Sequence, residues 1–375
     1  MLYAVPALDG DDNRVLGEIE SLHAAFLQFG RAGEWVGGVR KRLFASAIRG
    51  SNTIEGYTVS PTAATAIVDH VAVPADVPEE AREAVRGYRD ALTWVTQTAD
   101  MASFAYSETA LSALHFMMMR FWPERAPGRY RTRGIVVTGA DPLVPAYVGP
   151  DADRIPGLMS ELVDWLNAGD LAAHLLVRAA MAHLNLVRVH PWRDGNGRMS
   201  RCLQTMVIAR GGRLAPEFCS IEEWLGFELN TVDYYRALQE TGGTYEPATD
   251  VHSWVRFCLR AHHLQAQIVD RRLRYGQEVW AALAELVAGS GFHARTVAAL
   301  YAAATDHLRR EIYAGAEGLS RDQSVRDVRA LERAGLLTAV GYGATLAYVA
   351  AGPAREIADQ VAAGLTAPAR EPYGR

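Results

Sequence analysis

The residues His190-Pro191-Trp192-Arg193-Asp194-Gly195-Asn196-Gly197-Arg198, with Arg201 one helical turn further on, combine a base, a carboxylate, two glycines and two cations. That set suits a polyphosphate. Gly195 and Gly197 let the backbone turn so that consecutive N–H groups point at one spot, an anion-binding nest. A helix opening at Arg198 adds its unsatisfied N–H groups and the positive end of its dipole. Arg198 and Arg201 fall on one face of that helix and offer guanidinium forks to phosphate oxygens. Asp194 is a hard oxygen ligand for Mg²⁺, and His190 is the group able to take a proton near neutral pH. Singly, a His before Pro, a Gly-Asn-Gly turn and an Arg pair at helical spacing are all ordinary. Their order and spacing together are not. Trp192 reads as a hydrophobic plug that anchors the loop.

The elements that must position this loop are mostly helical. Apolar residues recur at three and four apart from Asn13 to Phe29, and a second helical run covers Val39 to Glu55, closed by Gly56. Pro61 suits the first turn of a following segment, and Pro78 to Val95 carries acidic residues at its start, where the helix dipole favours them. Further patterns span Pro156–Asn167, Leu171–Val187 and Arg198–Arg210; the middle one is apolar nearly all round and reads as a buried central helix. Val251 to Val287 reads as further helices, with His262 and His263 on a solvated face. His183, on the central helix, reads as a satisfied core histidine. The clear β signal is Arg133 to Val148, where Ile135-Val136-Val137-Thr138 and Val144–Val148 flank Gly139-Ala140-Asp141-Pro142 as a hairpin. From Gly291 to Val349 the grammar changes. A helix capped by Ser320 runs to Ala334, and Thr338–Val340 and Leu346–Val349 flank a Gly-Tyr-Gly turn, the order of a winged helix-turn-helix. The tail from Gly352 reads as frayed at its end.

With 375 residues, 49% apolar content and a net charge of −5, the chain reads as a soluble protein of several domains without global attraction to nucleic acid or acidic membranes. Three scattered cysteines (Cys202, Cys219, Cys258) form neither a disulfide framework nor a metal pattern and read as buried thiols. No signal peptide or membrane helix is expected, and the location expected is cytoplasmic.

The loop resembles the signature of the Fic (filamentation-induced-by-cAMP) family, His-x-Phe-x-Asp/Glu-Gly-Asn-Gly-Arg-x-x-Arg. His190, Asp194, Gly195, Asn196, Gly197, Arg198 and Arg201 match it, and Trp192 stands where Phe is usual. The resemblance covers about Leu16 to Gln265. It implies an all-α fold, a Fic-type helical bundle with a small β-hairpin flap, to which the C-terminal winged helix is added. The implied units are 1–95 with an inhibitory helix at about 39–56, a catalytic core at 96–265, and a linker with the winged helix at 266–375. The implied activity is transfer of AMP from ATP to a Ser, Thr or Tyr hydroxyl of a target protein. His190 would deprotonate the hydroxyl, Asp194 would hold Mg²⁺, Asn196 and the glycine N–H groups would cradle phosphate, and Arg198 and Arg201 would fix the β- and γ-phosphates.

Ser51-Asn52-Thr53-Ile54-Glu55-Gly56 resembles the family's inhibitory pattern, Ser/Thr-x-x-x-Glu-Gly/Asn. Ser51 and Glu55 share a helix face, and a carboxylate reaching Arg201 would form a bidentate pair in the γ-phosphate site. The flap segment Ile135, Val136, Val137 and Thr138 is expected to dock the target by strand addition. Tyr234 and Tyr235 are candidates for an adenine pocket, although aromatics on a helix are more often core. The helix from Ser320 carries Arg321, Arg326, Arg329 and Arg333 but also Asp322, Asp327 and Glu332, so a protein-interaction or homodimer role is favoured over DNA. Three rivals stay open: removal of AMP with Glu55 aligning water, transfer of another nucleotide, and a DNA-binding regulator that uses the Fic domain as a nucleotide sensor.

Overall fold

The structure is a computed structural model that describes residues 1–29, 35–138 and 145–374. Four helices come first: α1 (Gly10–Phe29), α2 (Trp35–Ile54), α3 (Pro61–Val68) and α4 (Glu79–Gln97). Local chemistry sets their ends. Ser60 accepts the Ala63 N–H at 3.1 Å and Pro61 occupies the first helical position of α3. After α2, Gly56 takes φ +86°, the left-handed residue expected there. A fifth helix, α5 (Glu108–Met119), capped by Ser107, was not anticipated: its apolar residues lie on too much of its circumference for a periodic signal.

The expected hairpin forms from β1 (Val136–Thr138) and β2 (Pro145–Val148), antiparallel, with Val136 opposite Val148 and Val137 opposite Tyr147. Its turn, Gly139 to Pro142, and Val144 lie outside the described residues. On its other side β2 is already engaged: the Val148 N–H donates to Gly243 at 2.9 Å, and Val148 bridges to Thr244. Among the described residues β1 pairs only with β2, so the open edge is the β1 edge.

Three helices then build the centre: α6 (Ile155–Ala168), α7 (Leu175–Val189) and α8 (Asn196–Arg210). Every residue of α7 except Leu175 and Arg178 is buried, as its all-round apolar pattern requires. It starts at Leu175 rather than Leu171 because the His174 ring accepts the Leu176 N–H at 3.2 Å and caps it there. Full burial of a side chain such as Leu184 or Leu186 contributes roughly 1.5–3 kcal/mol. A single turn, α9 (Glu222–Leu225), and α10 (Glu228–Glu240) lead to α11 (His252–Ser290). This last is one unbroken helix of 39 residues, about 60 Å long, where the sequence suggested several.

Helix α11 packs against α1, α2, α7, α9 and α10, and that corrects one expectation. His262 and His263 are buried rather than solvated. With neighbours on both sides, their polar atoms find internal partners: His262 meets Gln204 at 3.0 Å and His263 meets Glu18 at 2.9 Å. His183 is a satisfied core histidine as read, between Gln204 and the Tyr234 hydroxyl.

The C-terminal segment holds α12 (Thr296–Thr305), α13 (Arg310–Ala316), α14 (Arg321–Arg333), β3 (Leu337–Val340), β4 (Ala347–Ala350) and α15 (Gly352–Gly364). Ser320 and Gln323 form a reciprocal capping box on α14. β3 and β4 form an antiparallel hairpin, and Leu308 bridges to Tyr348 beside it. The tail is not frayed. Beyond α15 it returns across α1 and α11, where the Arg370 N–H reaches Gln267, Glu371 pairs with Arg260, and the Tyr373 hydroxyl donates to Asp12 at 3.0 Å. Its charges find opposite charges there. No described helix is long and apolar enough to cross a membrane.

Candidate active site

The loop begins where α7 ends. His190 itself caps that helix in the left-handed region at φ +51°, a backbone state that costs a non-glycine residue about 1 kcal/mol. Buried Arg131 holds it there: its Nε donates to the His190 carbonyl at 2.8 Å, its N–H to Pro191 at 2.8 Å, and its fork to Arg133 and Pro150. One guanidinium therefore ties the loop to the base of the flap. The His190 ring donates from Nδ1 to the Val187 carbonyl at 3.0 Å. This bond sets the tautomer and leaves the Nε2 lone pair unprotonated. Burial pushes the His190 pKa down to about 4, with Arg131 adding to the effect, so the ring is a neutral base at pH 7.

Trp192 is the expected plug. It is fully buried and stacks on His115 with ring centres 4.4 Å apart. His115 in turn bonds to the Asp194 carbonyl at 2.9 Å and accepts the Gly128 N–H at 2.8 Å. The Asn196 side chain, though the residue lines the cavity, is not held free for phosphate. It closes the loop instead, accepting the Trp192 N–H at 3.0 Å and donating to the Trp192 carbonyl at 2.9 Å. Its contribution to an anion would be the backbone N–H, which opens α8 behind Gly195 at φ +77°.

Both arginines are buried, each about 1% exposed. The Arg198 guanidinium lies 5.1 Å from the Tyr57 ring centre, with the Met119 sulfur 2.8 Å from Nη2. Among the described residues its Nε and Nη1 have no partner. Arg201 donates from Nε to the Ser51 hydroxyl at 2.9 Å, and from Nη2 to the Ser51 carbonyl at 3.0 Å and Glu55 Oε1 at 2.6 Å; Nη1 is unpaired among the described residues. The expected contact forms, but through one nitrogen rather than as a bidentate fork: Ser51 takes Nε and shares Nη2 with Glu55. Arg201 and Arg198 both act on the Glu55 carboxylate, and their unpaired buried N–H groups suit an anion.

Burial alone would push the Glu55 carboxyl up, but Arg201 and Arg198 outweigh it and hold the group below the usual carboxylate range. Glu55 reaches over Gly197, where a Cβ would lie 2.5 Å from Oε1; glycine is needed for this approach. The helix that carries Glu55 is fixed from behind. A Cβ on Gly50 would come within 2.1 Å of the Glu222 carbonyl, so α2 and α9 touch backbone to backbone. The buried Glu222 side chain accepts from the Tyr88 hydroxyl at 2.5 Å and from Thr205 at 3.3 Å.

Asp194 stands at the mouth. Its Oδ1 accepts the Gly195 N–H at 2.6 Å, and Oδ2 lies 3.6 Å from Arg125. A partly exposed carboxylate with one long cation contact suits a divalent ion. A cavity of about 870 Å³ joins His190, Asp194, Gly195, Gly197, Arg201 and Glu55 to the flap segment 135–138 and to Tyr235. Tyr235 is 44% exposed there, whereas Tyr234 is buried, its hydroxyl on His183 and its ring 5.8 Å from Arg201. Tyr234 backs the arginine from within the core and, with Tyr235, also lines the cavity. Arg131, His115, Tyr57, Met119 and Glu222 escaped the sequence reading because each acts across long sequence separations and carries no local signature.

The Fic/DOC family profile matches residues 105–208, which include His115, the flap and the loop. Residues 105–208 form a Fic/DOC domain. Around it the chain is 28% identical over 222 residues to a protein adenylyltransferase Fic from Nematostella vectensis, covering 59% of this chain and 47% of that one. Protein adenylyltransferase fic-1 from Caenorhabditis elegans is 29% identical over 220 residues, 57% of this chain and 38% of that one. The chain thus spans about half the length of such relatives or less. A Fic family protein from Desulfovibrio desulfuricans superposes with a TM-score of 0.58 at 23% identity, over 93% of this chain and 98% of that one. Fic-1 from C. elegans gives 0.55 at 22% identity, over 69% and 71%. The Fic domain and the helices around it therefore share an all-α fold with a small hairpin.

Proposed function

We propose that the chain is an autoinhibited protein adenylyltransferase that transfers AMP from ATP to a Ser, Thr or Tyr hydroxyl of a target protein. The observation that carries the reading is the cavity: a neutral histidine with a free Nε2 and buried Arg201 with Glu55 on it, while buried Arg198, close enough to act on Glu55, keeps two N–H donors unpaired among the described residues. Relatives named protein adenylyltransferases support it.

In this reading the target hydroxyl lies over His190 Nε2, held by a strand added to the β1 edge at Ile135 to Thr138. As the oxygen attacks the α-phosphorus, its proton passes to Nε2, and pyrophosphate leaves with the electrons of the broken Pα–O bond. Backbone N–H groups of the first turn of α8 take phosphate oxygens, and Arg198 and Arg201 fix the β- and γ-phosphates. Asp194 would hold Mg²⁺, which neutralises charge across the phosphates when bound. The protein supplies positioning and charge, which is most of what this chemistry asks. With Glu55 on Arg201, the γ-phosphate position is taken.

Three units are proposed: 1–95 with the inhibitory helix, 96–265 as the catalytic core, and 266–375 with the remainder of α11, which runs across this boundary, and the C-terminal helices and hairpin. Three free buried cysteines support a cytoplasmic location. Radiolabelled ATP and Mg²⁺ with wild type and Glu55→Gly test the activity: label on protein in the variant supports it, and no label from ATP in either opposes it.

A further inference from the structure

Helices α13 and α14 are joined by four residues, Glu317 to Ser320, in which Gly318 takes φ +63°. Two helices joined by a short turn with a glycine, followed by a hairpin, form an arrangement that presents its second helix to a groove. Helix α14 is sharply two-faced. Ser324, Asp327, Val328 and Leu331 point into the segment, and Arg321, Arg326, Arg329 and Arg333 are exposed. None of these four arginines forms an ion pair among the described residues. Arg326, Arg329 and Arg333 follow one another at three and four residues and so make a single stripe.

The charge count along α14 made the helix look mixed in sign. The structure removes one of the opposing charges from the surface. Asp327 is buried, bonded twice to Arg295 at 2.7 and 3.0 Å, and accepts the Tyr313 hydroxyl at 2.9 Å. What α14 shows to solvent is therefore four arginines against Asp322 and Glu332. Beyond it, at the tip of the β3–β4 hairpin, Tyr342 is 87% exposed between Gly341 and Gly343, both in the left-handed region. An aromatic ring so exposed adds nothing to the core. Its hydroxyl and face suit a sugar–phosphate backbone.

We propose that this segment binds double-stranded DNA, with α14 in the major groove and the hairpin tip on the adjacent backbone. The inference does not depend on the adenylyltransferase reading. The chain as a whole carries a net charge of −5, so attraction comes from the arginine stripe alone and is modest and strongly salt-dependent. The arginines provide two or three phosphate contacts, which correspond to a log–log salt slope of about −2 to −3.

The test is fluorescence anisotropy of a labelled 30-base-pair duplex pool of random sequence with the full-length protein. Binding in the range of roughly 1–100 μM is expected, weakening about 15- to 60-fold between 50 and 200 mM salt. The triple variant Arg326→Ala, Arg329→Ala, Arg333→Ala should lose at least tenfold in affinity and most of the salt slope, with unchanged circular dichroism and melting. Tyr342→Ala should lose severalfold, and Arg355→Ala, on α15, nothing. AMP transfer in a Glu55→Gly background should be the same with and without the triple change, so the two readings fail separately. Three results would overturn the proposal: no duplex binding by wild type, equal binding by the triple variant, or poly-glutamate binding tighter than duplex through the same arginines. The last would assign the surface to an acidic protein partner.

Discussion

Replacing Glu55 with alanine should act in two opposite directions that a single contact explains. Arg201 is 1% exposed on its side chain, and its short contact to Glu55, at 2.6 Å, is its one salt bridge among the described residues. Glu55 is 24% exposed, and Ser51 keeps two further bonds to Arg201, so the pair is not wholly desolvated. A charge-assisted hydrogen bond of this kind contributes about 1.5–3 kcal/mol. That is the quantity a γ-phosphate must displace in wild type. Without the carboxylate, productive binding of Mg·ATP should tighten by roughly 10- to 150-fold, and AMP transfer at subsaturating ATP should rise by the same factor. The ligand-free variant should melt several degrees below wild type, because Arg201 remains buried with less compensation. Saturating Mg·ATP should reverse that order. Calorimetry for Mg·ATP, thermal melting with and without it, and transfer of labelled AMP read all three quantities. A folded variant with unchanged transfer and unchanged ligand-free melting would refute the reasoning.

Other outcomes follow from the same geometry. In the Glu55→Gly background, His190→Ala should cut transfer by about 10²–10⁴-fold while leaving the calorimetric affinity for Mg·ATP near its starting value. With the His190 pKa near 4, kcat/KM in that background should stay flat from pH 8 to pH 6 and fall only in stronger acid; removing Glu55, which raises the ring's pKa, extends the plateau. His115, His183, His190 and His262 are all pushed down to between about 3 and 4, chiefly by burial. The unfolded chain therefore binds more protons than the folded one below about pH 6.5. The stability these groups contribute is lost as pH falls, at up to about 1.4 kcal/mol per pH unit for each, measurable by urea unfolding between pH 7 and 5. Gly50→Ala puts a Cβ 2.1 Å from the Glu222 carbonyl, so α2 must move off α9. It should lower the melting temperature and, by drawing Glu55 from Arg201, raise AMP transfer.

The site was legible where its chemistry is contiguous. His190 to Arg201 states a base, a turn and two cations within one loop and one helical turn, and the structure gathers most of these groups around one cavity. The Ser51–Glu55 pattern was legible because both residues sit one helical turn apart on the strand of chain that meets Arg201. What could not be read is chemistry spread over distance. Arg131 serves His190 across 59 residues, and Asp327 finds Arg295 across 32, so its charge had seemed available at the surface. The fold shows the same division. Helices with one apolar face, such as α1 and α4, declared themselves, while α5 and the long α11 did not. In α11 the histidines looked solvated because nothing local says that neighbours cover both sides. Asn196 is the instructive case within the loop itself: the residue type fits a phosphate cradle, yet its amide is consumed in closing the turn around Trp192.

The central claim is that one cavity performs AMP transfer and is held in check by Glu55. Intact-mass spectrometry after incubation with ATP and Mg²⁺ tests it most directly, using wild type, Glu55→Gly, and Glu55→Gly with His190→Ala. The account predicts a gain of one AMP or more in Glu55→Gly and none in the double variant, with little in wild type. Equal modification of all three proteins, or none in a folded Glu55→Gly supplied with target extract, would contradict it.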